Sequence, residues 1–98
     1  MEANKVYYQP RDMVLNAIND IVELQKAKLT FSDTPNGKIN FVVRMYANRW
    51  EHRFTVTGIN KNKCSVKLEI GHGSLNGEMQ LKREFALLDS MLLEEKSN

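Results

Sequence analysis

The sequence predicts an α+β fold in which an antiparallel sheet packs against two helices on one of its faces. Three features lead to this prediction: a helical apolar stripe over residues 10–27, alternating apolar and polar residues between 39 and 70, and a second helical stripe towards the end. Elements with one apolar side bury those sides against each other. The predicted architecture is a two-layer sandwich in the order β-α-β-β-β-β-α.

The first helix follows a short β-type segment at residues 6–9 and begins near Pro10. Proline suits the first turn of a helix, because its missing N–H would have no partner there. Asp12 places a negative charge at the positive end of the helix dipole. The stripe that we expect to be buried recurs every three or four positions and consists of Val14, Ala17, Ile18, Ile21, Val22 and Gln25.

A short second strand carries Leu29 and Phe31 and ends in the pentapeptide Asp33–Gly37. This pentapeptide predicts a turn, because proline fixes φ and the Asn-Gly pair accepts positive φ. Three further strands then alternate regularly, which predicts an antiparallel meander with one buried face. A two-residue turn at residues 48–49 would pair Phe41 with Val56.

A longer turn before the last strand would pair Phe54 with Leu68, and Cys64 with Gly58. The second helix has a stripe of Leu81, Phe85, Leu88 and Leu92, and we expect it to end near residue 94. The chain is then one domain over residues 1–98, with a polar tail from about 95. The predicted core contains Phe41, Val43, Phe54, Val56, Val66, Leu68, Ile18, Ile21, Phe85 and Leu88.

This element order resembles a much reduced helix-grip domain, the architecture of the pollen-allergen and START-like ligand binders. The resemblance is carried by the strand and helix of residues 6–27, the meander of residues 39–70 and the closing helix of residues 79–93. The chain departs from those families in being shorter and in having one helix after the first strand. The architecture is also seen in small bacterial domains of unknown function. The resemblance implies a fold type, and the short chain leaves little room for the large cavity of those families.

Composition excludes several classes of protein. The formal net charge of +2 does not demand a polyanionic partner, and 42% hydrophobic residues are typical of a globular chain. Cys64 is the single cysteine, so no internal disulfide forms and a cytoplasmic location is expected. No apolar run is long enough to cross a bilayer, and the first residues do not resemble a signal peptide. We expect neither a membrane association nor a cofactor.

No pair of residues suggests catalysis. The predicted register places Cys64 and His52 six residues apart along paired strands, or roughly 20 Å at about 3.3 Å per residue. A thiol and an imidazole must lie within hydrogen-bonding distance to act together. Cys64 is in phase with inward-pointing residues, which indicates a buried structural thiol. Two histidines and one cysteine do not provide a zinc site, so the sequence predicts neither a metal site nor an enzyme.

A ligand site is predicted at one end of the sheet. The register brings Trp50, His52 and His72 to the same end, where they would line the mouth of a cleft between the sheet and the helices. An aromatic residue with titratable neighbours in a concave surface is a common form of binding site. The sequence therefore predicts a small binding module that captures an apolar ligand between the two layers.

The outer face of the sheet suggests two other kinds of partner. Arg44, Arg53 and Lys67 fall on outward positions of neighbouring strands, so nucleic-acid binding is the alternative function. The small net charge makes this alternative the weaker one. Val42 and Tyr46 also point outward, which makes this face less polar than a fully solvated one. We therefore expect a protein partner there, most simply a second copy of the chain in a homodimer.

Overall fold

The computed structural model describes residues 1–45, 47–71 and 76–97 of the chain. Its element order confirms the predicted α+β architecture. A single 3₁₀ turn at Thr34–Asn36 separates the second and third strands. The elements are β1 (Glu2–Tyr7), α1 (Arg11–Leu24), β2 (Lys28–Asp33), β3 (Lys38–Met45), β4 (Asn48–Asn60), β5 (Lys63–Ile70) and α2 (Gly77–Ser97).

The five strands form one antiparallel sheet in the order β1-β5-β4-β3-β2. The last three strands are the predicted meander; β2 joins the sheet by pairing with β3, and β1 joins it by pairing with β5. Strands β1 and β2 are the two edges of the sheet. Both helices lie against the inner face of the sheet and contact each other. Helix α1 contacts β3 and β4, whereas α2 contacts β5, the neighbour of β1.

The core lies between the sheet and the helices, as the alternation of apolar residues predicts. Nine of the ten predicted core residues are buried, and Phe85 is partly buried against them. Three rings form a continuous series: Phe54 stacks on Phe41 with centroids 6.0 Å apart and meets Phe85 edge-on at 6.3 Å. Offset and edge-on contacts of this kind are the favoured arrangements of aromatic pairs.

The pairing of β3 with β4 differs from the prediction. Phe41 pairs with His52 and not with Val56, and Met45 pairs with Asn48, so the two strands join before residue 48. Alternation fixes the face on which a side chain lies, but it does not fix which residues close the turn. The error is an even number of residues, so every side chain keeps its predicted face. The predicted pairing of β4 with β5 is confirmed, including Phe54 with Leu68.

Strand β2 is less regular than its sequence suggests. The register shifts between Leu29 and Phe31, so Leu29 pairs with Phe41 while Phe31 pairs with Asn40. In a regular strand Leu29 and Phe31 would lie on the same face of the sheet, but a bulge of this kind places them on opposite faces. Both side chains are about half exposed, so β2 is a partly apolar sheet edge.

The turn predicted at Asp33–Gly37 is present and depends on its glycine. Gly37 has a φ of +69°, and a Cβ at this position would lie 2.1 Å from the Val56 carbonyl oxygen. Only glycine tolerates both the positive φ and the close approach of this carbonyl oxygen. Arg11 closes the turn from the start of α1 by donating hydrogen bonds to the carbonyl oxygens of Thr34 and Pro35 at 2.6 and 2.9 Å.

Within the described residues, neither helix is long and apolar enough to cross a membrane.

Candidate functional site

The structure places Trp50 and His52 inside the protein. The His52 ring is fully buried on β4 and stacks on Phe41, with centroids 4.8 Å apart and planes 2° from parallel. Trp50 is 5% exposed. His72 lies outside the described residues, so the predicted cleft mouth formed with His72 stays a prediction. His52 therefore lies in the interior of the protein, on the inner face of the sheet.

Three polar residues accompany His52 between the helices and the sheet. Glu84 is fully buried on α2, and Gln80 lies one helical turn before it with 8% exposure. Gln25, just after α1, donates from Nε2 to Glu84 Oε1 at 2.7 Å, which links the two helices. We call Gln25, His52, Gln80 and Glu84 the interlayer cluster.

Each residue of the interlayer cluster has one buried polar atom that makes no hydrogen bond of good geometry among the described residues. The Gln80 side chain nevertheless lies close enough to His52 for a hydrogen bond that raises the pKa of His52. In native proteins most buried polar side-chain atoms have a partner, so four such atoms on neighbouring residues mark this region as unusual. The atoms are Gln25 Oε1, His52 Nε2, Gln80 Oε1 and Glu84 Oε2.

The end of α1 holds Gln25 in place. The N–H of Lys26 donates to the Glu23 carbonyl and that of Ala27 to the Val22 carbonyl, both at 3.0 Å. Lys26 has a φ of +54°. This pattern is a Schellman motif, which satisfies the last carbonyls of a helix. The side chain of Gln25 then turns back and donates to Ile21 O at 3.2 Å.

Burial shifts the two titratable groups of the cluster in opposite directions. Burial lowers the pKa of His52 to about 4, and the nearby charge of Arg83 acts in the same direction, while hydrogen bonds to the Trp50 carbonyl and to the Gln80 side chain partly oppose this. Burial raises the pKa of Glu84 to about 6, although the Gln25 hydrogen bond and Arg83 partly oppose this. At neutral pH the cluster therefore holds an uncharged imidazole and a carboxylate.

We expect Glu84→Gln to stabilise the protein at pH 7.5 by about 2 kcal/mol, from a shift of about 1.5 pKa units. A raised pKa means that the fold favours the protonated acid, so the cost of ionisation appears as the pH rises from 4.5 to about 6. The gain should therefore vanish at pH 4. Urea unfolding at both pH values measures it.

The matched control is Glu78→Gln on the same helix, where the side chain is 73% exposed. This variant should change the stability little at either pH. Equal effects of the two substitutions at pH 7.5 would contradict the burial cost assigned to Glu84.

A groove runs between edge strand β1 and helix α2, and we call it the edge groove. Its volume is about 650 Å³, and Ala3, Leu81, Phe85 and Ala86 contribute its apolar lining. The partly buried ring of Phe85 is held from below by its edge-on contact with Phe54. The groove is thus an open space between the two layers with a packed, apolar floor.

A polar bridge closes one end of the edge groove. Asp89 on α2 accepts a hydrogen bond from the Tyr7 hydroxyl at 2.7 Å and pairs with Lys5 at 2.6 Å. Lys5 also lies over the Tyr7 ring at 5.3 Å. Burial raises the pKa of Tyr7, and the hydrogen bond to Asp89 acts in the same direction. These contacts fix the spacing between β1 and α2.

The basic residues of the outer face have acidic neighbours. Lys67 pairs with Glu2 at 3.2 Å and with Glu69 at 3.8 Å, and Arg53 pairs with Glu69 at 3.8 Å. Arg44 is exposed near the end of β3. Cations that are already paired with carboxylates contribute less to binding of phosphate groups. Nothing in this geometry favours the nucleic-acid alternative.

The outer face is also less bare than expected for a homodimer surface. Val42 is 3% exposed, because Lys28 and Glu51 lie directly opposite it on the neighbouring strands. Tyr46 lies outside the described residues. A homodimer through this face stays a prediction, which light scattering would test.

Cys64 is buried, as predicted, and burial raises the pKa of its thiol. The confirmed register of β4 with β5 pairs Cys64 with Gly58 and Ile70 with His52. The thiol and the imidazole therefore lie towards opposite ends of the paired strands. Among the described residues, no group of three or more His, Cys, Asp and Glu side chains has a geometry for a metal ion.

Sequence reasoning missed two of the four polar side chains of the interlayer cluster, Gln80 and Glu84. Gln80 and Glu84 are four residues apart and adjoin the stripe of Leu81 and Leu88 on α2. A charged residue within an apolar helical stripe is a signal of a buried polar site, and Glu84 carries that signal. The contact between Gln25 and Glu84 joins residues 59 positions apart, and no local pattern predicts it.

Comparison with solved structures supports the fold. The chain is similar to the di-domain ARO/CYC protein StfQ from the steffimycin biosynthetic pathway, with a TM-score of 0.67 and 9% sequence identity. The match covers 94% of this chain and 42% of StfQ, so the chain spans less than half the length of that protein. No protein-family model and no curated protein matches the sequence. At this identity the likeness shows the fold, and it fits the predicted helix-grip-like architecture.

The match corrects the expectation that the chain is not an enzyme. That expectation depended on the lack of a recognisable catalytic pair, whereas the similar chain is an aromatase/cyclase. Catalytic residues can be brought together by the fold from distant positions, so an enzyme of this fold need not show a catalytic pair in its sequence spacing. The absence of such a pair therefore does not exclude catalysis for this chain.

Proposed function

We propose that this domain binds a small, largely apolar molecule in the edge groove, between helix α2 and the sheet. The observation that carries the proposal is the groove itself, which has a volume of about 650 Å³ and an apolar floor. Sites for small molecules commonly have volumes of roughly 300–1,000 Å³ and a mostly apolar lining. The position between the layers agrees with the capture of a small apolar ligand between the sheet and the helices that the sequence predicts.

The chemistry of the rim favours a molecule with one polar end. Phe85 and Leu81 offer apolar contacts, while Lys5 and Asp89 supply charged groups at one end of the groove. Because Lys5 and Asp89 neutralise each other, the rim does not require a strongly charged ligand. The similarity to an aromatase/cyclase supports the proposal, since such an enzyme must hold an organic substrate.

We expect the amphipathic dye 1-anilinonaphthalene-8-sulfonate, an apolar ring system with one anionic end, to bind the folded protein and to become fluorescent in the edge groove. Ala86→Phe adds a ring where the exposed Ala86 lines the groove, and it should weaken dye binding by about tenfold, a typical loss when an apolar contact site is filled. A titration at constant protein concentration measures the change.

The matched control is Ser90→Phe, which adds the same ring one turn further along α2 at an exposed position. It should leave the dye affinity unchanged. Melting temperatures of both variants equal to that of the wild type would exclude a partly unfolded state. Equal loss of affinity in both variants would contradict binding in the groove. Quenching of Trp50 would instead support the site predicted at the Trp50 end of the sheet.

A further inference from the structure

Edge strand β2 pairs with another strand on one side only. It is the last strand of the sheet, and its single neighbour is β3. Its six residues, Lys28–Asp33, are exposed or partly exposed, and Leu29 and Phe31 remain 48% and 47% exposed. An open edge of this kind can pair with a further strand. The strand begins with a positive charge and ends with a negative one.

The bulge in β2 places these two charged residues on the same face of the sheet. Lys28 pairs with Val42 and Asp33 pairs with Lys38, and both partners are outward positions of β3. In a regular strand, residues an odd number of positions apart lie on opposite faces. The register shift inside β2 adds one residue and so brings both charges to the outer face. Phe31 lies on this face as well, where it lines a pocket beside Asp33.

Two copies of this strand fit each other in an antiparallel arrangement. With a twofold axis through the centre of β2, Lys28 of each copy would lie opposite Asp33 of the other copy. Leu29 would lie opposite Ser32 of the other copy. Directly opposite residues must point to the same face. Lys28 and Asp33 meet this condition on the outer face. Leu29 and Ser32 meet it on the inner face, since both pair with buried core residues of β3.

The charges favour a second copy in this orientation. Within the described part of the chain, neither Lys28 nor Asp33 forms an ion pair. Antiparallel pairing gives each of them an opposite charge, whereas parallel pairing would place like charges side by side, which is destabilising. A lysine on an edge strand normally opposes pairing with other strands, so the carboxylate of the second copy is what permits it here. The two Phe31 rings would lie next to each other beside the axis and lose contact with water.

We propose that the chain forms a homodimer through strand β2, in which two five-stranded sheets join edge to edge. The interface is isologous, because each copy contributes the same strand. It is separate from the edge groove, which lies at β1 on the opposite edge of the sheet, so both grooves stay open. It also differs from the outer-face contact around Val42, which would stack the two sheets face to face.

The test is sedimentation equilibrium of the intact chain at pH 7.5. One pair of strands makes a small interface, so the wild type should dimerise only above about 100 µM. Lys28→Asp and Asp33→Lys each place like charges opposite each other and should weaken dimerisation by at least about tenfold. An equimolar mixture of these two variants restores opposite charges at both contacts and should dimerise like the wild type.

The matched control is Lys61→Asp, which makes the same change of charge at an exposed turn between β4 and β5. It should dimerise like the wild type. Asp33 also accepts a hydrogen bond from Asn36 at 2.7 Å, so thermal melting must show that each variant folds. If Asp33→Lys does not fold, the comparison of Lys28→Asp with Lys61→Asp decides alone.

Three results would overturn the proposal. A wild type that stays monomeric up to about 1 mM, ten times the expected dissociation constant, would exclude the dimer. Equal weakening by Lys28→Asp and Lys61→Asp would indicate an effect of net charge, and unchanged dimerisation of Lys28→Asp would place the interface elsewhere, such as on the outer face. A mixture of folded Lys28→Asp and Asp33→Lys that stays monomeric would exclude the contact between these two positions.

Discussion

Replacing Phe54 with alanine is expected to lower the free energy of unfolding by about 3–5 kcal/mol. Phe54 is fully buried on β4, and its ring joins Phe41 on one side to Phe85 on the other, with centroids 6.0 and 6.3 Å away. The substitution leaves a cavity at the centre of the core, where the sheet and α2 meet. For a chain of 98 residues this loss is a large part of the total stability.

Denaturant unfolding at pH 7 measures this loss, with Phe31→Ala as the control. Phe31 is also on a strand, but it is 47% exposed at the sheet edge, so its removal should cost less than about 1 kcal/mol. A loss for Phe31→Ala as large as that for Phe54→Ala would show that the centre of the core is placed incorrectly.

Acidification should destabilise the protein through His52 by about 3 kcal/mol, from a pKa shift of about 2.5 units. Its pKa is lowered from 6.5 to about 4 in the folded protein, so the fold favours the neutral ring. The contribution to stability is complete above pH 6.5 and is lost as the pH falls towards 4. Glu84 works in the opposite direction over an overlapping range, which reduces the slope of the wild-type curve.

The variant His52→Phe isolates this effect. Phenylalanine retains the stacking on Phe41 but does not titrate, while Glu84 and Arg83, which face the same region from α2, are present in both proteins. The wild type should lose about 3 kcal/mol more than the variant between pH 7 and pH 4, again from the lowered pKa. Parallel curves for the two proteins would contradict the burial of an uncharged His52.

The two flanks of α2 have different chemistry. The flank towards β1 presents Leu81, Phe85 and Ala86 to the edge groove, whereas the flank towards α1 carries the buried Gln80 and Glu84. Because the two sets lie on different sides of the helix, Glu84→Gln should not affect dye binding.

The sequence alone determined the element order and, outside the bulge in β2, the face on which the side chains of the core lie. Both depend on local periodicity: spacings of three and four place Ile18 and Leu88 on buried helix stripes, and alternation places Phe41 and Phe54 on the inner face of the sheet. The pairing of β4 with β5 was also predictable, since Gly58 opposite Cys64 follows from the turn between them.

The tertiary structure decided how these elements meet. The turn between β3 and β4 closes before residue 48 because every even shift of register satisfies the same alternation, and only the packed sheet selects one. The interlayer cluster has the same origin. Gln25 and Glu84 are 59 residues apart and hydrogen-bond only because α1 and α2 lie on the same sheet face. This contact and the buried His52 place polar groups inside an otherwise apolar core.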